Sequence, residues 1–287
     1  MTALGAAGYA VREDVLPGRS LVYGHLGLDG PDGVIPHVEP GRTVSGSFVS
    51  RARGGRCTGW TIALPPGVGA GARSLPVAVV LHGRGNSHVS AFDPSYLGLD
   101  RFLAAAVGQG ATPFAMASVD GGESYWHARE NGDDAGAMVV DEFLPLLSDQ
   151  GLDVSRVAFL GWSMGGYGAL RLASRLGRDR VVAATAMSPA LWHRFADSTP
   201  GAFDDAADFD RATLFGRQRD LDGIRVRIDC GEADPFYAAT RDYVEGFQVP
   251  PVGGFQPGSH VVGYWRRMAP AQVRFIAKAF STGPRVR

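Results

Sequence analysis

Gly161-Trp162-Ser163-Met164-Gly165 sets a serine at the centre of a G-x-S-x-G pentapeptide. In that pattern the serine stands on a sharp turn between a strand and a helix, and the glycines let the two elements approach closely. The flanks meet the requirement. Val157-Ala158-Phe159-Leu160 is an apolar run leading into the turn, and Tyr167 to Leu176 is helical in pattern beyond it. A serine hydroxyl is a weak nucleophile at neutral pH, so it needs a histidine to take its proton and a carboxylate to hold that histidine's tautomer. The chemistry such a set performs is attack on a carbonyl carbon through an acyl-enzyme.

In sheets of this type the chain order is serine, acid, histidine. Downstream of Ser163 the histidines are His193, in a polar stretch before the last expected strand, and His260, in a Gly-rich loop after all the expected strands. The order favours His260. For the acid, Ile224-Arg225-Val226-Arg227-Ile228 reads as a strand that runs into Asp229, so the following loop offers Glu232 and Asp234. Pro235 disfavours helical geometry at Asp234 and holds it in the loop, which makes it the preferred acid over Glu232. The oxyanion formed during attack needs amide donors, each worth about 2.7–4 kcal/mol. Met164 N–H, at the helix start, and Arg84 N–H, after the run Val79-Val80-Leu81-His82-Gly83, are the candidates. The Arg84 side chain suits either solvent or an anionic part of a substrate.

These residues need elements to position them. Strands are expected at Pro76 to Leu81, Pro113 to Val119, Arg156 to Leu160, Val181 to Met187 and Ile224 to Cys230, alternating with helices in the rhythm of a mostly parallel sheet covered on both faces. The named helices are Ala135 to Leu147, capped by Asp133 or Asp134 and bent by Pro145, then Met164 to Leu176 closed by Gly177, and Tyr264 to Phe280. Thr43 to Arg51 and Thr58 to Leu64 read as a hairpin at the sheet's edge. Residues 1–40 form a Gly/Pro-rich arm with at most a short strand near Leu21 to His25, and 41–287 the main domain, with a loop-rich cap at about 191–222.

Composition narrows the function classes. The chain has 287 residues, 28 basic against 29 acidic side chains, and a formal net charge of -1, which gives nucleic acid no broad field to follow. Lys278 is the single lysine. Two cysteines, Cys57 and Cys230, make neither a disulfide framework nor a zinc site. No apolar run reaches the length of a membrane-spanning helix. Met1 to Val11 are small and apolar without a leading positive charge, which leaves both a cytoplasmic chain and the remainder of an export signal open.

Several stretches together resemble a known family: Leu81-His82-Gly83, Asp120 to Trp126, Asp141 to Pro145, Gly161 to Leu170, Gly231 to Phe236, and His260 followed by Tyr264-Trp265. They look like the putative esterase family, which includes esterase D type enzymes and the antigen 85 mycolyltransferases. The likeness runs over roughly residues 46 to 281. It implies an α/β-hydrolase fold and a serine carboxylic-ester hydrolase with Ser163, Asp234 and His260 as triad and no metal or organic cofactor. It also implies a substrate site drawn from the Asp120 to His127 loop (Asp120, Ser124, Trp126, His127) together with His82, Gly83 and Trp162. Acyl transfer to a sugar or other alcohol is the alternative through the same residues, and a non-catalytic binding protein on the same scaffold is the second.

Overall fold

The computed structural model describes residues 27–68 and 74–282. The strand expected near Leu21 to His25 lies outside them. The core of the fold is one eight-stranded sheet: β1 (Thr43–Ser50), β2 (Arg56–Ala63), β3 (Pro76–Leu81), β4 (Ala115–Val119), β5 (Asp153–Trp162), β6 (Val181–Met187), β7 (Arg225–Gly231) and β8 (Val252–Gln256), in the order β1-β2-β4-β3-β5-β6-β7-β8. β1 and β2 pair antiparallel, as do β2 and β4, and every later pairing is parallel. β3, β4 and β6 are buried almost along their whole length and apolar but for Ser118 and Thr185, because both of their faces are covered.

One face is covered by α1 (Leu99–Gly108) and α6 (Val262–Thr282), which close over Ala78, Val80, Leu160 and Met187. The other carries α2, whose turns are Ala135–Ala137, the π-helical Met138–Phe143 and Leu144–Asp149, and α3 (Met164–Leu176). The π-helical turn precedes Pro145, whose ring would clash with the carbonyl four residues back in a regular helix. Asp134, not Asp133, caps α2 by accepting from Ala137 N–H, and Asp133 instead pairs with the buried Arg53. Residues 191–222, the segment expected to form a cap, hold α4 (Ala206–Ala212) and short 3-10 turns at Phe195–Asp197 and Gln218–Leu221; α5 (Tyr237–Glu245) follows β7.

The expected Gly-rich loop at 253–259 is a correction. Val252–Gln256 is an edge strand, β8, parallel to β7. Pro250-Pro251 and Gly253-Gly254 mimic a turn in sequence, but a side chain at Gly253 would run into Ile228 O, so glycine is what lets this edge close on β7. Residues 27–40 hold no regular element and lie along α6, with Gly33 N–H bonded to Gly263 O and Arg267 bonded to Pro31 O. Among the described residues no helix is long and apolar enough to cross a membrane. Cys57 is exposed, Cys230 is buried, and both are free.

Candidate active site

The carboxyl ends of β3, β5, β7 and β8 open on one side of the sheet, where parallel α/β sheets hold their ligands. Ser163 follows β5 with φ 54° and ψ -122°, an uncommon conformation for a side-chain-bearing residue, which costs about 1–3 kcal/mol unless its surroundings fix it. They do so by three hydrogen bonds: Ser163 N–H to Met187 O at 2.9 Å, Ala190 N–H to Ser163 O at 3.0 Å, and Tyr167 N–H to Ser163 O at 3.1 Å. The two motif glycines have steric reasons. A Cβ at Gly161 would sit 2.0 Å from Gly165 O, and one at Gly165 would sit 1.9 Å from Leu81 O. Strand β5, α3 and the end of β3 are therefore in backbone contact at the turn that presents the serine.

His260 lies in the short loop between β8 and α6. Its Nε2 is 2.9 Å from Ser163 Oγ and its Nδ1 is 2.8 Å from Asp234 Oδ2. Asp234 is fully buried at its side chain, and its second oxygen accepts from Phe236 N–H at 2.9 Å. The imidazole stands edge-on between Phe236 and Trp265, with ring centroids at 5.2 and 5.0 Å, and Trp265 is fixed in turn by donating to Ser188 Oγ. Asp29 of the arm reaches the same loop, accepting from Ser259 Oγ at 2.5 Å. The rivals are elsewhere: His193 pairs with Asp242 at the surface. Glu232 N–H bonds Gln256 O, while its carboxylate takes no part in the line through His260.

Met164 begins α3, where an amide has no intrahelical carbonyl to meet. Arg84 is in the turn closed by Asn86 N–H to Gly83 O, and Asn86 Oδ1 accepts from both Trp162 Nε1 and Tyr96 OH, which ties this turn to the core. The Arg84 guanidinium is half exposed and its Nε donates to Glu123 at 3.1 Å, so the anion it meets here is the protein's own.

The residues that the resemblance assigns to substrate are mostly turned inward. His82, Ser124, Trp126, His127 and Trp162 are buried. His82 Nδ1–H donates to Gly83 O and its Nε2 accepts from Gly121 N–H, so the ring is neutral and braces the 120–127 loop; burial lowers its pKa accordingly. Trp126 fills the space above Gly121 and Gly168, where a Cβ would lie 2.4 Å from its ring. His127 contacts Tyr125 O and Asp208, and Ser124 Oγ donates to Gly121 O. Both Asp120 oxygens accept backbone amides, from His88 and Gly59. Gly83 contributes backbone, its Cβ position being taken by Trp162 Nε1. Full burial of Trp126 and Trp162 removes a large apolar area from water.

The site residues that sequence reasoning did not single out are aromatic or bracing: Phe236, Trp192, Trp265, Asn86 and Glu123. Trp192, on the cap, stands edge-on to Phe236 at 5.3 Å and so extends the aromatic wall beside His260. Phe236 and Trp265 stand in stretches that carry the family likeness, which is the signal that would have found them.

A family model described as "Putative esterase" matches residues 52–252. The chain belongs to the putative esterase family. This esterase is thus a serine carboxylic-ester hydrolase, and its sheet and helices are those of the α/β-hydrolase fold. Among solved structures, a ferulic acid esterase aligns with TM-score 0.68 at 20% identity, covering 83% of this chain and 99% of that one. An S-formylglutathione hydrolase from Agrobacterium tumefaciens gives 0.67 at 17%, covering 85% and 97%. A second such hydrolase, from Staphylococcus aureus, gives 0.65 at 18%, covering 82% and 98%. No curated protein matches the esterase by sequence.

Proposed function

We propose that the esterase works through Ser163 as nucleophile, His260 as general base and acid, and Asp234 as the group that orients His260. The observation that carries this reading is the continuous hydrogen-bonded line from buried Asp234 through His260 to Ser163 Oγ, at 2.8 and 2.9 Å. Ser163 Oγ bonds to the ester carbonyl carbon as its proton passes to His260 Nε2. The resulting oxyanion lies against the Arg84 and Met164 amides. When the tetrahedral centre collapses, the C–O bond to the alcohol breaks and His260 returns the proton to that alcohol. Water then repeats the sequence on the acyl-enzyme, with His260 taking its proton and Ser163 leaving as the restored hydroxyl. Asp234 holds the imidazole's orientation and stabilises the imidazolium.

The wall beside His260 supports an aromatic acyl group as the preferred cargo. Phe236 and Trp192 are both partly exposed and meet edge to face, an arrangement that accepts a further ring. This agrees better with the ferulic acid esterases among the structural neighbours than with the S-formylglutathione hydrolases. Methyl ferulate, p-nitrophenyl acetate and S-formylglutathione, compared by kcat/KM, test it. The expected order puts methyl ferulate first, with Trp192→Ala lowering that substrate at least about tenfold more than acetate. Equal loss on both, or a preference for the formyl thioester, would refute the aromatic assignment while leaving the triad untouched.

A further inference from the structure

At the end of the sheet opposite Ser163 lies a cavity of about 680 Å³ that ester hydrolysis does not use. Its walls come from Leu221–Ile224, where the cap descends into β7, from the start of β7, from the α5–β8 connection with Val249 and Val252, and from Phe275 and Lys278 on α6. β7 and β8 are parallel, so the cavity is level with their first residues, whereas Asp234 and His260 follow their last. At 3.3 Å per residue the length of β7 alone separates the two by roughly 20 Å.

The lining combines two features. It is mostly apolar, with Ile224, Val226, Phe247 and Phe275 inside, and it keeps Val249 and Val252 largely exposed. It also carries Arg225 and Lys278, which form no ion pair with any described residue, against one acid, Asp222. The Arg178 side chain lies over Gly223 at the same rim. In a chain whose charges nearly cancel, this is a local cationic excess at the mouth of an apolar hole. The volume falls in the range of small-molecule sites, and apolar walls with a few converging polar groups are their usual make-up.

We propose that this cavity is a second ligand site for an amphipathic monocarboxylate, with the apolar body against Ile224, Val252 and Phe275 and the carboxylate at Arg225 and Lys278. The apolar body is drawn in by burial of hydrocarbon, and the two exposed cations of the lining hold the head at its solvent side. The site is independent of the triad in position and does not rest on the identity of the substrate.

Equilibrium dialysis with radiolabelled decanoate tests it, on wild-type enzyme and on enzyme capped at its nucleophile with phenylmethylsulfonyl fluoride. The expected result is one saturable site per chain that survives capping. Arg225→Glu/Lys278→Glu should weaken it at least about tenfold while leaving p-nitrophenyl acetate turnover unchanged, and 1-decanol should bind at least about tenfold more weakly than decanoate. Binding that disappears on capping belongs to the active site and overturns the proposal. So does equal binding of decanol, or indifference to the charge reversal. A wild-type dimer that Val252→Asp converts to monomer, with no decanoate site in either, would assign the cavity to a contact between copies instead.

Discussion

The turn that carries Ser163 and the segment 191–222 both lie beside the line through His260 that we propose as catalytic, yet they are held by opposite means. At the turn, Gly161, Gly165 and Leu81 meet backbone to backbone, and Ser163 is fixed by main-chain bonds to Met187, Ala190 and Tyr167. The cap is fastened by side chains from far along the sequence. Arg129 donates twice to Asp204 and to Gly201 O, Glu130 N–H reaches Asp204, and His127 meets Asp208. Tyr167 and Arg171 both donate to Ala212 O at the end of α4, and burial pushes the Tyr167 hydroxyl up to about 12. The first kind of fixation tolerates no added atom. The second can be loosened one bond at a time.

The proposed triad and the turn that carries Ser163 predict the largest effects. Asp234→Asn should lower kcat on p-nitrophenyl acetate by about 10⁴ with an unchanged melting temperature, while Glu232→Gln stays within about threefold of wild type. Gly165→Ala should cost on the order of 10²-fold or more, because pushing α3 off Leu81 O displaces Ser163 by a sizeable fraction of 1 Å. A fully active Gly165→Ala enzyme would show that the backbone contact is not what positions the serine.

The cap predicts a smaller and different change. Arg129→Ala removes charge-assisted bonds that solvent partly reaches, so a loss of about 1–2 kcal/mol in urea unfolding is expected, with KM rising more than kcat falls. If kcat fell by orders of magnitude instead, the cap would be as rigid a part of the machinery as the turn.

An effect that leaves the turn and the segment 191–222 unaltered is the pH dependence of stability. Burial holds the His82 pKa below its ordinary 6.5 in the folded state, so the unfolded chain takes up a proton at a pH where the folded one does not. Stability from this group is complete above about pH 6.5 and declines as pH falls through the window below it, by up to about 1.4 kcal/mol per pH unit. Burial lowers the pKa of His127 as well, so it adds in the same direction. Urea unfolding at pH 7.5 and 5.5 should show the decline, and His82→Gln should reduce it.

The same contrast explains what was legible in the sequence. Ser163 and Asp234 could be proposed from local properties, a tight turn and a residue before proline, whereas His260 rested on the chain order expected of such sites. The parallel strands were readable as apolar runs, and α3 and α6 as periodic faces. β8 was not, since its glycines and prolines carry turn signals that the pairing with β7 overrides. The 120–127 loop was legible only as two alternatives, local packing or a binding loop, because the partners that decide between them arrive from elsewhere in the chain: Gly168 under Trp126, Asp208 at His127 and Arg53 at Asp120 O. Arg129 and Asp204, which hold the cap, are 75 residues apart and carry no local pattern.

Intact-mass analysis after brief exposure to a fluorophosphonate tests the central claim most directly, with Ser163→Ala and His260→Ala beside the wild type. A single adduct on the wild type, absent from Ser163→Ala and strongly slowed on His260→Ala, is the predicted result. An unlabelled, folded wild type, or an adduct that persists on Ser163→Ala, would contradict it.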